Sequence, residues 1–345
     1  MTTVCVVGCG AVGSLFAAHL AQLDGVEVHA YDTSAAHVAA INRDGLRLVG
    51  KASLSAAVLA TDDASSLPAC DFGIVATKGY ATGPAIAATA HCFASGGHVA
   101  SVQNGVGNEE VIAEHVERVI LGTTFPAGHV VAPGIVEMDT RGDTWLGPYL
   151  QDASMMPAVR QLAELLTASG MPTVALEDAR GAQWNKLVFN AATNPLGALT
   201  GLTHGRVCEQ PGLRSLASRL VEESIAVAAS LGVTLEGDPE ALIDHAAKVA
   251  YDHRASMLQD VAAGRRTEID FLNGGISAFG ARQGVPTPLN DAIVALVKGL
   301  EASFAAASAA GSGVGGAGVG GAGVGGAVVA GSGAGAGGGG SEGGR

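Results

Sequence analysis

The sequence predicts an α/β protein: a doubly wound, mostly parallel sheet followed by an all-helical domain. Three observations carry this. Short β-rich runs alternate with helical patterns as far as Glu177, which is the signature of parallel strands joined by crossover helices. A glycine-rich loop, Gly8-Cys9-Gly10-Ala11-Val12-Gly13, separates the first strand run from the first helical run. From Asp178 onward the spacing is helical, as in LRSLASRLVEESIAVAASLGV, and strand signals become few.

In order, VCVVG (4–8) reads as a buried strand, SLFAAHLAQL (14–23) as a helix and VEVHAY (26–31) as a second strand. DFGIVATK (71–78), HVASVQN (98–104) and RVILGTT (118–124) continue the strand series. The stretch from Gly128 to Gly147 suggests hairpins added at the sheet's edge. The expected organisation is therefore a sheet domain over 1–177, a helical domain over 178–302 and a tail over 303–345. In the tail the unit GVGGA recurs at 313–317, 318–322 and 323–327. Glycine maximises backbone entropy and alanine brings little transfer energy, so a disordered tail is expected rather than a membrane span.

Composition narrows the function. The formal charge of −13 argues against a nucleic-acid surface, which needs a basic patch. Five cysteines without zinc-like pairing, and no basic run before the apolar stretch at Val4, point to a cytoplasmic protein with reduced thiols. No metal site is expected.

The glycine loop predicts a dinucleotide site of the Rossmann type. Gly8 permits the tight turn, Gly10 lets the backbone approach a pyrophosphate, and Gly13 lets helix and strand pack closely. The helix N-terminus, opening with Ala11 and Val12, presents free N–H groups to the phosphates. Asp32 follows Gly13 by 19 residues, the place of the acid that binds the adenine-ribose hydroxyls. Each such charge-assisted bond contributes about 1.5–3 kcal/mol. A 2′-phosphate there would meet a carboxylate, with a repulsion of about 4 kcal/mol at an effective dielectric near 20. No lysine or arginine precedes Arg43, so NAD(H) is expected over NADP(H) unless Arg43 or a distant cation folds back. The competing reading of Asp32 is a cap on the turn that follows it.

The chemistry concentrates in WNKLVFNAATNPLGALTG (184–201). Lys186, Asn190 and Asn194 recur every four residues, so they share one helix face among apolar neighbours. A polar substrate held against that stripe would offset the cost of burying it. A lysine ammonium can protonate a carbonyl oxygen, and burial lowers its pKa toward neutrality. In RRTEIDFLNG, Thr267 reads as an N-cap that places Glu268 in a first helical turn.

These segments resemble the ketopantoate reductases (2-dehydropantoate 2-reductases). GCGAVG, VATKGY, QNGVGNEE, GTT, WNKLVFNAATNPLGALTG, SMLQD and RRTEIDFLNG occur in that family's order and spacing, across residues 3–300. The resemblance implies a Rossmann domain and a helical domain with the active site between them. It implies reduction of ketopantoate to (R)-pantoate in pantothenate synthesis, usually with NADPH. It further implies Lys186 as general acid and Glu268 as the residue that binds a substrate hydroxyl and orients that lysine. Asn104, Asn190, Asn194 and Ser256 would contact substrate, and Lys78 would lie along the cofactor side of the cleft, which Asn104 also borders.

The chain departs from the family pattern twice. Asp32-Thr33-Ser34 replaces an arginine-bearing turn that grips the 2′-phosphate, which favours NADH. His253 replaces an asparagine that contacts substrate, and is expected either to line the pocket or to sit in the core behind it. Two further readings follow: an NAD-dependent 2-hydroxyacid dehydrogenase of the same family acting on another 2-oxo acid, and a non-catalytic nicotinamide sensor. The substrate is expected to be a small 2-oxo acid, with neither membrane nor nucleic acid as partner. A homodimer is the expectation for the helical domain.

Overall fold

In the computed structural model, which describes residues 1–312 with side chains to Phe304, the first strand is β1 (Thr2–Val7). Val4–Val7 are wholly buried, as expected of a central parallel strand covered on both faces. It leads through the glycine loop into α1 (Ala11–Leu20), then β2 (Val26–Tyr31) and α2 (Ala35–Asp44). There follow β3 (Leu46–Gly50), β4 (Leu54–Ala56), β5 (Leu59–Thr61), β6 (Phe72–Val75), α3 (Thr82–Thr89), β7 (His98–Ser101), α4 (Asn108–Ala113) and β8 (Val119–Thr124). A run of strands comes next, β9 (Ala127–Ala132), β10 (Ile135–Thr140) and β11 (Thr144–Pro148), then α5 (Met156–Ala168) and β12 (Thr173–Ala175).

The main sheet has the order β12-β11-β8-β7-β6-β1-β2-β5. Its parallel part is doubly wound, with the direction of winding reversing beside β1. The glycine loop therefore leaves the carboxyl end of β1 at the switch point, where open α/β sheets bind ligands.

The expected edge hairpin takes a different place. β9 and β10 pair with each other, and β10 pairs with β3, making a separate sheet of order β4-β3-β10-β9. Only β11 joins the main sheet, antiparallel to β8. The cause lies in α1, which is buried from Gly13 to Leu20. A helix apolar all round needs cover on both sides. The main sheet supplies one side through β1 and β2, and the small sheet supplies the other.

After β12 the chain is helical among the described residues: α6 (Arg180–Thr200), α7 (His204–Glu209), α8 (Pro211–Ser230), α9 (Pro239–Val249), α10 (Ser256–Ala262), α11 (Asn273–Gln283) and α12 (Pro288–Ser312). Their core gathers Trp184, Leu187 and Val188 with Leu220, Ile243, Ile276 and Val297. α12 runs past the expected domain end at 302, because ASFAAASAA is good helix former. The tail expected over 303–345 lies outside the described residues from position 313 on. Residues Met1–Phe304 form one compact unit, and none of the described helices is long and apolar enough to cross a membrane.

α6 carries Pro195 in its interior, which removes the N–H that would bond the Ala191 carbonyl. Asn273 Nδ2 supplies the missing donor at 3.0 Å and also reaches Asn290 Oδ1 at 2.9 Å. Glu223, on α8, accepts in turn from Asn290 Nδ2 (2.8 Å) and from the first backbone N–H groups of α12. A buried polar chain thus fixes the helix that bears Lys186.

Candidate active site

The glycine loop behaves as its spacing predicts. Gly8 has φ +89°, and a Cβ there would stand 2.8 Å from the Thr77 backbone nitrogen. A Cβ on Gly13 would lie 1.9 Å from the Gly8 carbonyl oxygen, so only glycine lets α1 sit this close to β1. On Gly10 a Cβ would meet nothing within 4 Å, because that backbone faces open space. The first intrahelical bond runs from Ser14 N to Gly10 O at 3.0 Å, so the N–H groups of Ala11, Val12 and Gly13 remain free. No side chain caps this helix and no acid stands in its first turn. That arrangement fits a pyrophosphate. Cys9, by contrast, is fully buried and contributes only backbone, its thiol pushed up to about 12 by burial.

Asp32 directly follows β2. One carboxylate oxygen accepts from Ser34 N at 2.8 Å, and Ser34 in turn caps α2. Both sequence readings of Asp32 are therefore compatible: Oδ1 holds the turn, and no donor reaches Oδ2 among the described residues. Arg43 stands in the last turn of α2 and pairs with Asp44 at 2.6 Å, so it does not fold back toward Asp32.

The second cluster forms where the loops at the ends of β6, β7 and β8 meet the helical half. Lys186 Nζ donates to Asn104 Oδ1 at 2.7 Å and to the Thr124 carbonyl. An ammonium has three donors, so one remains for a ligand. Burial drives the Lys186 pKa down to about 8, with Glu268 opposing the fall. Asn190 and Asn194 follow at successive turns of α6, both buried.

Lys78 sits between two acids, 2.8 Å from Asp260 Oδ2 and 3.3 Å from Glu268 Oε2. Burial pulls its pKa down, but the two carboxylates outweigh this and leave it raised. Glu268 Oε1 accepts from Gly79 N at 3.1 Å, and Arg265 holds Asp260 from the far side at 3.0 Å. Glu268 thus bonds Lys78 directly and touches Lys186 only through its field.

Two sequence expectations need correction. Thr267 caps no helix: α11 begins at Asn273, and Glu268 lies in the turn before it. The Thr267 hydroxyl accepts from Ile269 N at 3.3 Å within that turn, and the hydroxyl and N–H both donate to Glu301 on α12, at 2.6 and 2.7 Å. His253 is exposed in the turn between α9 and α10, its carbonyl accepting from His204 N, so it is no core residue. Ser256 opens α10 and is also exposed, on a helix that packs along α6.

Sequence reasoning passed over Asp260, Thr124 and the pair Gln183–Glu109. Asp260 was signalled by an acid inside the apolar SMLQD turn. Gln183 precedes Lys186 on α6, and its amide donates to Glu109 Oε1 at 2.9 Å.

Comparisons with known proteins point to one family. Residues 4–151 match the family described as "Ketopantoate reductase PanE/ApbA", and residues 178–301 match its C-terminal counterpart. The 2-dehydropantoate 2-reductase of Pyrococcus abyssi is 32% identical over 297 residues, covering 86% of this chain and 97% of that one. That of Pyrococcus horikoshii is 34% identical over 299 residues, with the same coverage. Among solved structures, a PanE/ApbA family ketopantoate reductase from Ralstonia eutropha JMP134 superposes with a TM-score of 0.80 at 33% identity, covering 88% of this chain and all (100%) of that one. D-mandelate dehydrogenase with NADH and anilino(oxo)acetate gives a TM-score of 0.82 at 25% identity over the same shares. With the switch-point glycine loop and the Lys186 cluster on one frame, the chain belongs to the ketopantoate reductase family.

Proposed function

We propose that this chain is a 2-dehydropantoate 2-reductase, which reduces the C2 carbonyl of ketopantoate to the hydroxyl of (R)-pantoate using a reduced nicotinamide. The observation that carries the reading is Lys186: a half-buried ammonium, anchored by Asn104 and Thr124, with one donor left over. A bound reduced nicotinamide supplies the hydride to C2. Lys186 supplies the proton to the oxygen, and its pKa of about 8 keeps it charged at neutral pH while easing the transfer. Asn104 holds the ammonium in line. Glu268, Asn190, Asn194 and Ser256 are assigned to the substrate's hydroxyl, carbonyl and carboxylate, with His253 at the exposed rim. Gly8–Gly13, with Cys9, Ala11 and Val12 offering backbone only, would hold the pyrophosphate.

Asp32 favours NADH, since its free Oδ2 suits ribose hydroxyls and opposes a 2′-phosphate. Lys78, clamped by Asp260 and Glu268, is assigned to the cofactor side of the cleft. On this reading 1–177 binds cofactor and 178–302 supplies the catalytic lysine, in a cytoplasmic enzyme that works as a homodimer. A second reading, an NAD-dependent 2-hydroxyacid dehydrogenase, draws support from the likeness to D-mandelate dehydrogenase.

Initial rates with ketopantoate, measured with NADH and NADPH in parallel, test both. Turnover of ketopantoate favouring NADH is the expected result. A preference for NADPH would remove the role given to Asp32, and turnover of mandelate-type acids alone would favour the second reading.

A further inference from the structure

Two aromatic residues at the junction serve none of the three apolar cores. Phe125 follows β8 directly, and Trp145 lies on β11; both are half-buried. Their rings meet edge to face, with centroids 5.6 Å apart and planes at 77°. Phe125 N donates to Asp143 O at 3.0 Å. Gly142 also leaves room for Phe125, since a Cβ there would stand 2.7 Å from the Phe125 Cβ. The backbone that carries the ring is thus held against the turn before β11. Its centroid lies 5.4 Å from Lys186 Nζ, while the carbonyl of the preceding residue, Thr124, is the lysine's second anchor. A half-buried aromatic pair thus stands beside the proton donor.

We propose that the Phe125 ring, propped by Trp145, is the apolar wall on which the C3 substituents of the 2-oxo acid pack, so that it selects acids branched at C3. The inference rests on the reading of Lys186 as proton donor. A carbonyl oxygen within about 3 Å of Nζ brings its two flanking groups within reach of that ring. One of those groups is the carboxylate, which the negative face of an aromatic ring repels. The other is C3, whose methyl groups gain by contact with it. The ring therefore decides which end of the substrate turns toward it.

The test compares ketopantoate, with C3 fully substituted, and 2-oxobutyrate, with a single methyl on C3. Wild type, Phe125→Leu and Phe125→Ala are assayed for kcat/KM on both, and nicotinamide binding is followed by fluorescence. The ketopantoate to 2-oxobutyrate ratio is expected to fall about 10-fold or more in Phe125→Ala and less in Phe125→Leu, the range that small changes in a hydrophobic pocket produce. An equal loss on both acids would reduce Phe125 to a support for Lys186 and overturn the inference. So would an unchanged ratio. If Phe125→Ala no longer binds nicotinamide, Phe125→Leu decides by the same ratio. Wild type that reduces neither acid would overturn the underlying function, an outcome visible before any variant is read.

Discussion

The glycine loop and the Lys186 cluster solve opposite problems. The loop is six consecutive residues that contribute backbone: positive φ at Gly8, a shaved contact at Gly13 and free N–H groups on α1. The cluster draws side chains from segments as far apart as Lys78 and Glu268, 190 residues along the chain, and buries charge to do it. One region gives up side-chain volume, the other hydration of its charges. The difference teaches where each is vulnerable: the loop to any added atom, the cluster to any lost partner.

The largest effect should come from Lys186→Ala. Removing a general acid costs about 10²–10⁴ in rate. Nicotinamide affinity should hold, because the loop is built elsewhere. Steady-state kinetics with a binding titration check both. The pH profile sharpens the point. The ammonium is the active form for reduction, and its pKa is lowered to about 8, so the reductive rate should fall as pH rises through 8. Oxidation of the hydroxy acid should rise through the same value. A reductive rate that stays level to pH 10 would exclude Lys186 as the donor.

Next in size is the contrast between two glycines three residues apart. Gly13→Ala drives a methyl to 1.9 Å from the Gly8 carbonyl and 3.1 Å from Val6, so it should destabilise the fold by about 1–3 kcal/mol or more. Gly10→Ala meets no protein atom, so its melting temperature should match wild type. Its nicotinamide affinity should nonetheless drop, because the methyl enters the space a pyrophosphate needs. Thermal melts and a binding titration on both variants check this. Wild-type affinity in Gly10→Ala would place the cofactor elsewhere.

The same contrast explains what the sequence disclosed. The strand series, the glycine loop and the Lys186–Asn190–Asn194 stripe depend on spacing within one element, and spacing is visible in a string. The small sheet was not, because LRLVG is too short a run to announce a partner for β10, and the need to cover α1 is a tertiary demand. Thr267 misled for a related reason: a threonine before an acid looks like a cap whether a helix or only a single turn follows it. Lys78 was found by motif, but its bond to Asp260 spans 182 residues and has no local trace. Partners across the junction are chosen by packing, and only the residue types, not the pairings, are written locally.

An effect that shows only as a pH dependence tests whether buried charge is the weakness of this region. Glu109, in the first turn of α4, is buried and accepts from Gln183, one turn before Lys186. Burial pushes its pKa up to about 7 from the ordinary 4.5, so the folded state binds this proton more tightly than the unfolded chain. Its contribution to stability is therefore fully present below pH 4.5 and lost as pH rises through 7. The full loss is on the order of 3 kcal/mol, because a tenfold change in proton affinity corresponds to about 1.4 kcal/mol. Glu109→Gln keeps the shape and removes the proton. Urea unfolding at pH 5 and pH 8 should show the wild type losing most of that amount relative to the variant, whose amide has nothing to ionise. Parallel slopes for the two proteins would mean that Gln183 and the α4 N-terminus already stabilise the carboxylate, and that desolvation does not govern this region.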